Sequence, residues 1–151
     1  MMEISQEGIE FIQRLELPKG QLLKKHLTPY DDGAGLPTIG FGHLLPDWEH
    51  DPITEVEAHE LFREDLRIPQ RILDREREIA QHQYDALCSF IFNIGHGNWT
   101  QSKSRAYLVQ GTLNYIPVLF FEYTRSGKKR LEGLMNRRLK EMKLFYLGKY
   151  S

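Results

Sequence analysis

A chain of 151 residues, 40% hydrophobic and 27% charged, has the composition of an ordinary globular domain and can bury roughly 70% of its unfolded surface. Its longest apolar run, residues 116–121, is too short to cross a bilayer, and its single cysteine, Cys88, excludes an internal disulfide and lies where burial is expected. The net charge of −1 conceals a split: residues 1–101 carry 9 Lys+Arg against 18 Asp+Glu, and residues 102–151 carry 11 against 3. One half can supply the acids of a site and the other a cationic face for a polyanion, or the two halves simply attract each other.

Ser5 is placed to cap a first helix that runs to about residue 17, where Pro18 and Gly20 stop it. Gly8, Phe11, Ile12, Leu15 and Glu16 recur at steps of three and four as its buried stripe, with Glu3, Glu7, Glu10 and Arg14 opposite. Glu16 is therefore the one acid of this helix beside the apolar stripe. At that end, desolvation and the helix dipole both favour the protonated carboxyl that a general acid needs. A frayed, solvated helix end is the plainer reading of the same position.

Residues 30–43 read as a small β-hairpin or meander. Asp31, Asp32, Gly33 and Gly35 supply turn chemistry, and residues 36–43 alternate as one extended strand. Thr38, Gly40 and Gly42 fall on one face of that strand, with Ile39, Phe41 and His43 on the other. Two glycines beside a hydroxyl leave bare backbone on which a sugar ring can lie, or are no more than bends in an edge strand.

The rest of the pattern is helical. Thr54 and Glu57 form a capping box for a helix to about Leu66, stopped near Pro69, and a short charged helix follows over residues 70–79. Residues 83–94 are the central buried helix, ended by Gly95 and Gly97. Asn93 near its end is placed either to meet a ligand or to cap the helix. Further helices are expected over residues 102–110, closed by Gly111, and from Asn114 through Arg125, with Pro117 tolerated in the first turn. A last helix carries Leu134, Leu139, Met142 and Phe145 and stops at Gly148. The fold class is α+β, predominantly α, in a single domain over residues 1–151. A β-containing lobe with a connecting helix spans about residues 17–66, and the remainder joins the first helix in a helical lobe across a cleft.

An acid at a helix end, an Asp in a turn and a glycine-rich strand suit the cleavage of a sugar–sugar bond, which needs two carboxyl groups facing across a groove. With these residues the chain resembles the bacteriophage-type lysozymes, the family 24 glycoside hydrolases. The resemblance rests on Gly8 to Ile12 leading to Arg14-Leu15-Glu16, on Tyr30-Asp31-Asp32, and on Gly35 through His43. It continues through the capping-box helix over residues 53–66, Asp85 to Leu87 with Phe92 to Gly95, and Gly133 to Arg138 with Glu141, Leu144 and Phe145.

The resemblance implies a peptidoglycan hydrolase that cleaves the β-1,4 bond between N-acetylmuramic acid and N-acetylglucosamine. Glu16 is the implied acid, and Asp32 with Thr38, six residues on, holds the attacking water. The family favours inversion, which requires carboxyl groups roughly 6.5–9.5 Å apart. Tyr30, Gly40, Gly42, Asn93 and Arg137 are the implied binding or supporting residues, Arg137 being matched to an arginine that lies near the acid in relatives. His43 is expected to be a hydrogen-bonded structural histidine rather than a base. No metal or cofactor is expected, since the six histidines and one cysteine lack metal-ligand spacing.

This chain departs from the family in the fifteen residues from Leu17 to Asp31 that part Glu16 from Asp32, a longer connection than relatives have. Nearly doubling a flexible loop costs only roughly 0.6 kcal/mol of closure entropy. The extra residues 18–24 form either a helical turn overhanging the cleft, with Lys24 and Lys25 toward substrate, or a plain surface bulge. The implied partners are glycan strands and, compatibly, an immunity or inhibitor protein. A monomer with no integral membrane segment is expected, and nucleic acid is not. Without the pattern of a cleaved signal, the chain is expected to be made in the cytoplasm and to reach the wall or periplasm by release or delivery. A lytic transglycosylase, which needs no water-holding Asp, and a non-catalytic glycan-binding module are the competing readings.

Overall fold

The computed structural model describes residues 1–17 and 22–151. The chain divides into two compact units, one of Ile12–Arg67 and one of Met1–Phe11 with Ile68–Ser151. Helix α1, Gln6–Glu16, starts in the second and ends in the first. Its N-terminus is capped as expected, the Ser5 hydroxyl accepting the Gly8 N–H at 3.0 Å. The stop expected at Pro18 and Gly20 lies outside the described residues.

Within Ile12–Arg67, strands β1 (Tyr30–Asp31), β2 (Pro37–Ile39) and β3 (His43–Leu44) make an antiparallel meander. Tyr30 pairs with Thr38, and Thr38 and Ile39 pair in turn with Leu44 and His43. The single strand expected over residues 36–43 is therefore two strands and a turn. Gly40 (φ 62°) and Gly42 (φ 81°) take the left-handed backbone that side chains resist, and the alternation of faces ends at Ile39.

Gly40 is also closely approached. A Cβ there would lie 3.3 Å from that of Ala58, on helix α2 (Glu55–Asp65). The capping box of α2 is present in both directions, Glu57 N–H to Thr54 Oγ1 at 3.1 Å and Thr54 N–H to Glu57 Oε2 at 2.7 Å. Ile12, Ile39, Phe41, Ala58, Phe62 and Leu66 form the core of this unit. Part of the long connection is helical, one 3-10 turn at Leu23–His26 with Lys24 and Lys25 exposed. It is stitched to its unit, the carbonyls of His26 and Leu27 accepting from Gly40 N–H at 2.7 Å and Ile53 N–H at 2.9 Å. Residues 18–21, the rest of that segment, are outside the described residues.

The other unit is helical. It contains α3 (Arg67–Leu73, from Ile68 on), α4 (Gln81–Ile94), α5 (His96–Gln101), α6 (Lys103–Gln110), α7 (Ile116–Leu119) and α8 (Glu132–Leu147). Gly95, Gly111 and Gly148 end α4, α6 and α8 as expected. Pro69 does not stop a helix. It is the third residue of α3, where no intrahelical N–H is required, so the short helix expected over residues 70–79 begins earlier. The helix expected from Asn114 to Arg125 breaks into α7 flanked by two 3-10 turns. After these, β4 (Arg125–Ser126) and β5 (Lys129–Arg130) form a two-stranded hairpin. Helix α5 had no expectation at all.

Helix α4 packs along α8 over Phe90, Phe120 and Phe145, with the Phe90 and Phe120 rings stacked at 4.2 Å. Cys88 is fully buried, and burial pushes its thiol well above the ordinary range, so it is packing rather than chemistry. Asp85, also buried, ties the chain's ends to α4. It accepts from Ser5 N–H at 3.1 Å, from the Ser5 hydroxyl, from Gln81 Nε2 at 2.9 Å and from the Tyr150 hydroxyl at 2.7 Å. Residue 8 is glycine because a Cβ would sit 2.6 Å from Asp85 Cγ. Mostly helical with one small three-stranded sheet, the molecule has the expected fold class.

Candidate functional site

Glu16, Asp32 and Thr38 all belong to the Ile12–Arg67 unit. Glu16 ends α1, half-buried. Its carboxylate lies against the Gly42 turn, where a Cβ would come within 2.9 Å of Oε2. Asp32 stands just past β1, in the loop to β2, and its backbone and side chain clamp that loop. Its N–H donates to Leu36 O at 3.2 Å, while Oδ1 accepts the N–H groups of Ala34 at 2.8 Å and Leu36 at 3.1 Å. Thr38, 1% exposed, donates its hydroxyl to the same Leu36 carbonyl at 3.1 Å. Leu36 thus joins Asp32 to Thr38 through its main chain, a link that no property of a leucine side chain signals.

Tyr30 connects this arrangement to Glu16. Its hydroxyl donates to Gly40 O at 2.9 Å and accepts Gly42 N–H at 3.3 Å, bracing the turn on which the Glu16 carboxylate rests. Burial raises the Tyr30 pKa, the Gly42 N–H partly offsets this, and the negative charges of Glu16 and Asp32 raise it further. Both carboxylates therefore act on one phenol. Asp31 spends its Oδ1 on the loop N–H groups of Gly33 at 2.7 Å and Gly35 at 3.0 Å. His43 is the hydrogen-bonded histidine expected, its Nδ1 2.8 Å from Asp65 Oδ2 on α2.

Asn93 and Arg137 lie in the helical unit. Asn93, exposed, accepts at Oδ1 from Arg138 Nη2 at 2.7 Å. Arg137, buried, donates from Nε to Glu141 Oε1 at 3.1 Å and from Nη2 to Ser89 O at 3.3 Å. Sequence reasoning missed the network they share. Glu141 Oε1 accepts from Ser89 Oγ at 2.7 Å and Arg138 Nη2 at 3.1 Å. Arg138 Nε lies 2.8 Å from Glu141 Oε2, close enough for charge pairing though too bent for a hydrogen bond. The Arg138 guanidinium also stacks 5.0 Å from the Phe90 ring centre. The spacing of two arginines three and four residues before a glutamate was the available signal.

A family model described as phage lysozyme matches residues 24–141, which include Asp32, Thr38 and Arg137 and begin after Glu16. The chain belongs to the phage lysozyme family. Lysozymes are glycoside hydrolases, a class whose chemistry uses two carboxyl groups. The endolysin of Salmonella phage P22 is similar to this chain at 35% identity over 152 residues, covering 96% of this chain and 99% of the relative. The endolysin of Bacillus phage PZA is 33% identical over 151 residues, 97% of this chain. The chain spans 56%, about half, of that relative's length. Among solved structures, the muramidase domain of SpmX from Asticaccaulis excentricus matches with a TM-score of 0.80 at 28% identity, covering 97% of this chain and 99% of that one. Among the described residues no helix is long and apolar enough to cross a membrane.

Proposed function

We propose that this chain is a muramidase that hydrolyses the β-1,4 bond between N-acetylmuramic acid and N-acetylglucosamine in peptidoglycan. Glu16 protonates the leaving glycosidic oxygen, and Asp32 with Thr38 holds the attacking water. The observation that carries this reading is that Tyr30 braces the Gly42 turn against which Glu16 rests and pairs in the sheet with Thr38, which is tied to Asp32 through Leu36. Family membership and relatives called endolysin and muramidase support the same chemistry.

Asp32 Oδ1 is held by two N–H donors, which fixes the plane of the carboxylate. Among the described residues Oδ2 has no partner, so it is the oxygen placed to take a proton from water. The Thr38 hydroxyl gives its own proton to Leu36 O, so its lone pairs face the water as acceptors. Two acceptors on one water aim the oxygen lone pair away from them, toward the anomeric carbon. The Gly42 turn lets the Glu16 carboxylate lie directly on backbone. Glycan strands are the proposed partner, and the wall, reached after release or delivery, is the proposed place of action.

Digestion of purified wall by wild type and by Glu16→Gln tests the proposal. The variant should lose about 10²–10⁴-fold in rate, the range of general acid catalysis, with its circular dichroism spectrum unchanged. Wild-type digests should gain reducing ends. Anhydro-muramyl products would replace the hydrolase with a transglycosylase, and near-normal lysis by Glu16→Gln would sink the assignment of the acid.

A further inference from the structure

We infer that the β4–β5 hairpin is a binding surface for a phosphodiester polyanion of the cell envelope, acting as a tether. Residues 125–130 read Arg-Ser-Gly-Lys-Lys-Arg, four cations in six residues with no acid among them, and all six are exposed. The hairpin is a built element. Gly127 (φ 61°) takes the first of two loop positions, the place that a type II′ turn reserves for glycine. Leu131 N–H donates to Thr124 O at 2.9 Å and closes the hairpin's base, and Arg125 Nη1 donates to Lys128 O at 3.3 Å across the loop.

The pairing register puts Arg125 directly opposite Arg130. Like charges facing each other across a ladder are destabilising, and the Cα atoms of such a pair stand only roughly 4.5–5.5 Å apart. Among the described residues none of the four cations pairs with a carboxylate. The neighbouring acids are Glu122, already held by Lys103 at 3.1 Å, and Glu132 at the start of α8. An arrangement that costs stability and is left uncompensated is one that an incoming anion would relieve.

The composition of the hairpin selects the anion. Residues 125–130 contain no apolar side chain, so nothing is present to anchor in a bilayer as interfacial segments do. No aromatic is interleaved for stacking on bases, and nearby Tyr123 is engaged with the Phe90 ring at 5.4 Å. What remains is recognition of charge, with two guanidinium forks suited to the paired free oxygens of a phosphodiester. Arg125 and Arg130 share one face of the hairpin, Lys129 lies on the other and Lys128 at its tip, so a flexible polymer with one fixed charge per repeat can engage the arginine pair and wrap the tip to reach the lysines. The proposal relies on the wall-hydrolase reading only to place such a polymer within reach. Its test is binding, so loss of turnover would leave it standing.

The probe is soluble poly(glycerol phosphate), titrated against the full chain at increasing sodium chloride. The variant is Arg125→Gln, Lys128→Gln, Lys129→Gln and Arg130→Gln combined. Wild type should bind with an affinity that falls steeply with salt. The variant should bind at least tenfold more weakly at low salt, with a log–log salt slope shallower by about two to four, as removal of that many ionic contacts requires. Its melting temperature should match or exceed wild type, because the facing arginines are gone. Unchanged affinity and slope in the variant would overturn the proposal. So would variant-sensitive binding to phosphatidylglycerol vesicles that is tighter than binding to the polymer, which would make the hairpin a membrane contact.

Discussion

Two carboxylates in this molecule are used in opposite ways. Glu141, fully buried, spends Oε1 on Ser89, Arg137 and Arg138 and turns Oε2 to Arg138. Asp32, exposed, spends Oδ1 on two main-chain N–H groups, and among the described residues its Oδ2 has no partner. The first carboxylate has nothing left with which to do chemistry, while the second is oriented by one oxygen and available through the other. A charge saturated by guanidinium groups in a core secures packing; a charge aimed by backbone alone, beside water, can act on a substrate.

The largest effect that tests this contrast is on stability. Glu141→Gln removes the charge that two buried arginines share, and stranding buried charges costs about 3–5 kcal/mol. For a domain of this size that lowers the melting temperature by roughly 6–20 °C, measurable by calorimetry. Asp32→Asn keeps the Oδ1 acceptor and should cost less than about 1 kcal/mol while lowering wall digestion at least a hundredfold. Equal stability losses in the two variants would erase the distinction.

A glycine pair sharpens the catalytic side. Gly35 (φ 84°) and Gly42 (φ 81°) share a left-handed backbone, so alanine at either should cost about 1–2 kcal/mol. Only at Gly42 would the new Cβ meet Glu16, 2.9 Å from Oε2; at Gly35 nothing lies within 4 Å. Gly42→Ala should therefore lose about tenfold or more in rate through displacement of the acid, with Gly35→Ala close to wild type in steady-state digestion. Equal rates would separate the Gly42 turn from Glu16.

The same contrast explains what could be read from the sequence. The Ser5 cap, the Thr54–Glu57 box and the glycine stops at Gly95, Gly111 and Gly148 are local devices, and each is where its residues predict. Gly40 and Gly42 were legible as glycines but misread as strand, because residue types keep alternating in the sequence through a turn whose backbone ends the alternation of faces. The break after Glu122 was missed because residues 120–125 contain neither glycine nor proline to mark it. Asp32 and Thr38 could be paired by their spacing, yet their connection through the Leu36 carbonyl is a main-chain event that side-chain identity does not encode. Arg138 shows the other limit: a guanidinium 0% exposed is intelligible only once Glu141, Asn93 and Phe90 surround it.

The smallest expected effect compares two tyrosines that brace the two units. Tyr150 hydrogen-bonds to buried Asp85, and burial followed by that bond pushes its pKa up to about 12; Tyr30 is raised by burial and by the charges of Glu16 and Asp32. The unfolded chain releases these protons near pH 10, so below that value both states keep them and the stabilisation is complete. Above pH 10 the unfolded state ionises first and stability falls, until the folded groups ionise as well. Tyr30→Phe and Tyr150→Phe should each cost about 1 kcal/mol at pH 8, where a hydrogen bond is lost, and less as pH approaches 12. Urea midpoints at intervals from pH 8 to 12 would reveal the narrowing. Tyr30→Phe should also slow wall digestion, because the Gly40–Gly42 turn beneath Glu16 loses its brace, whereas Tyr150→Phe should alter stability alone. Stability differences that stay constant to pH 12 would mean that neither phenol is held in its neutral form by the fold.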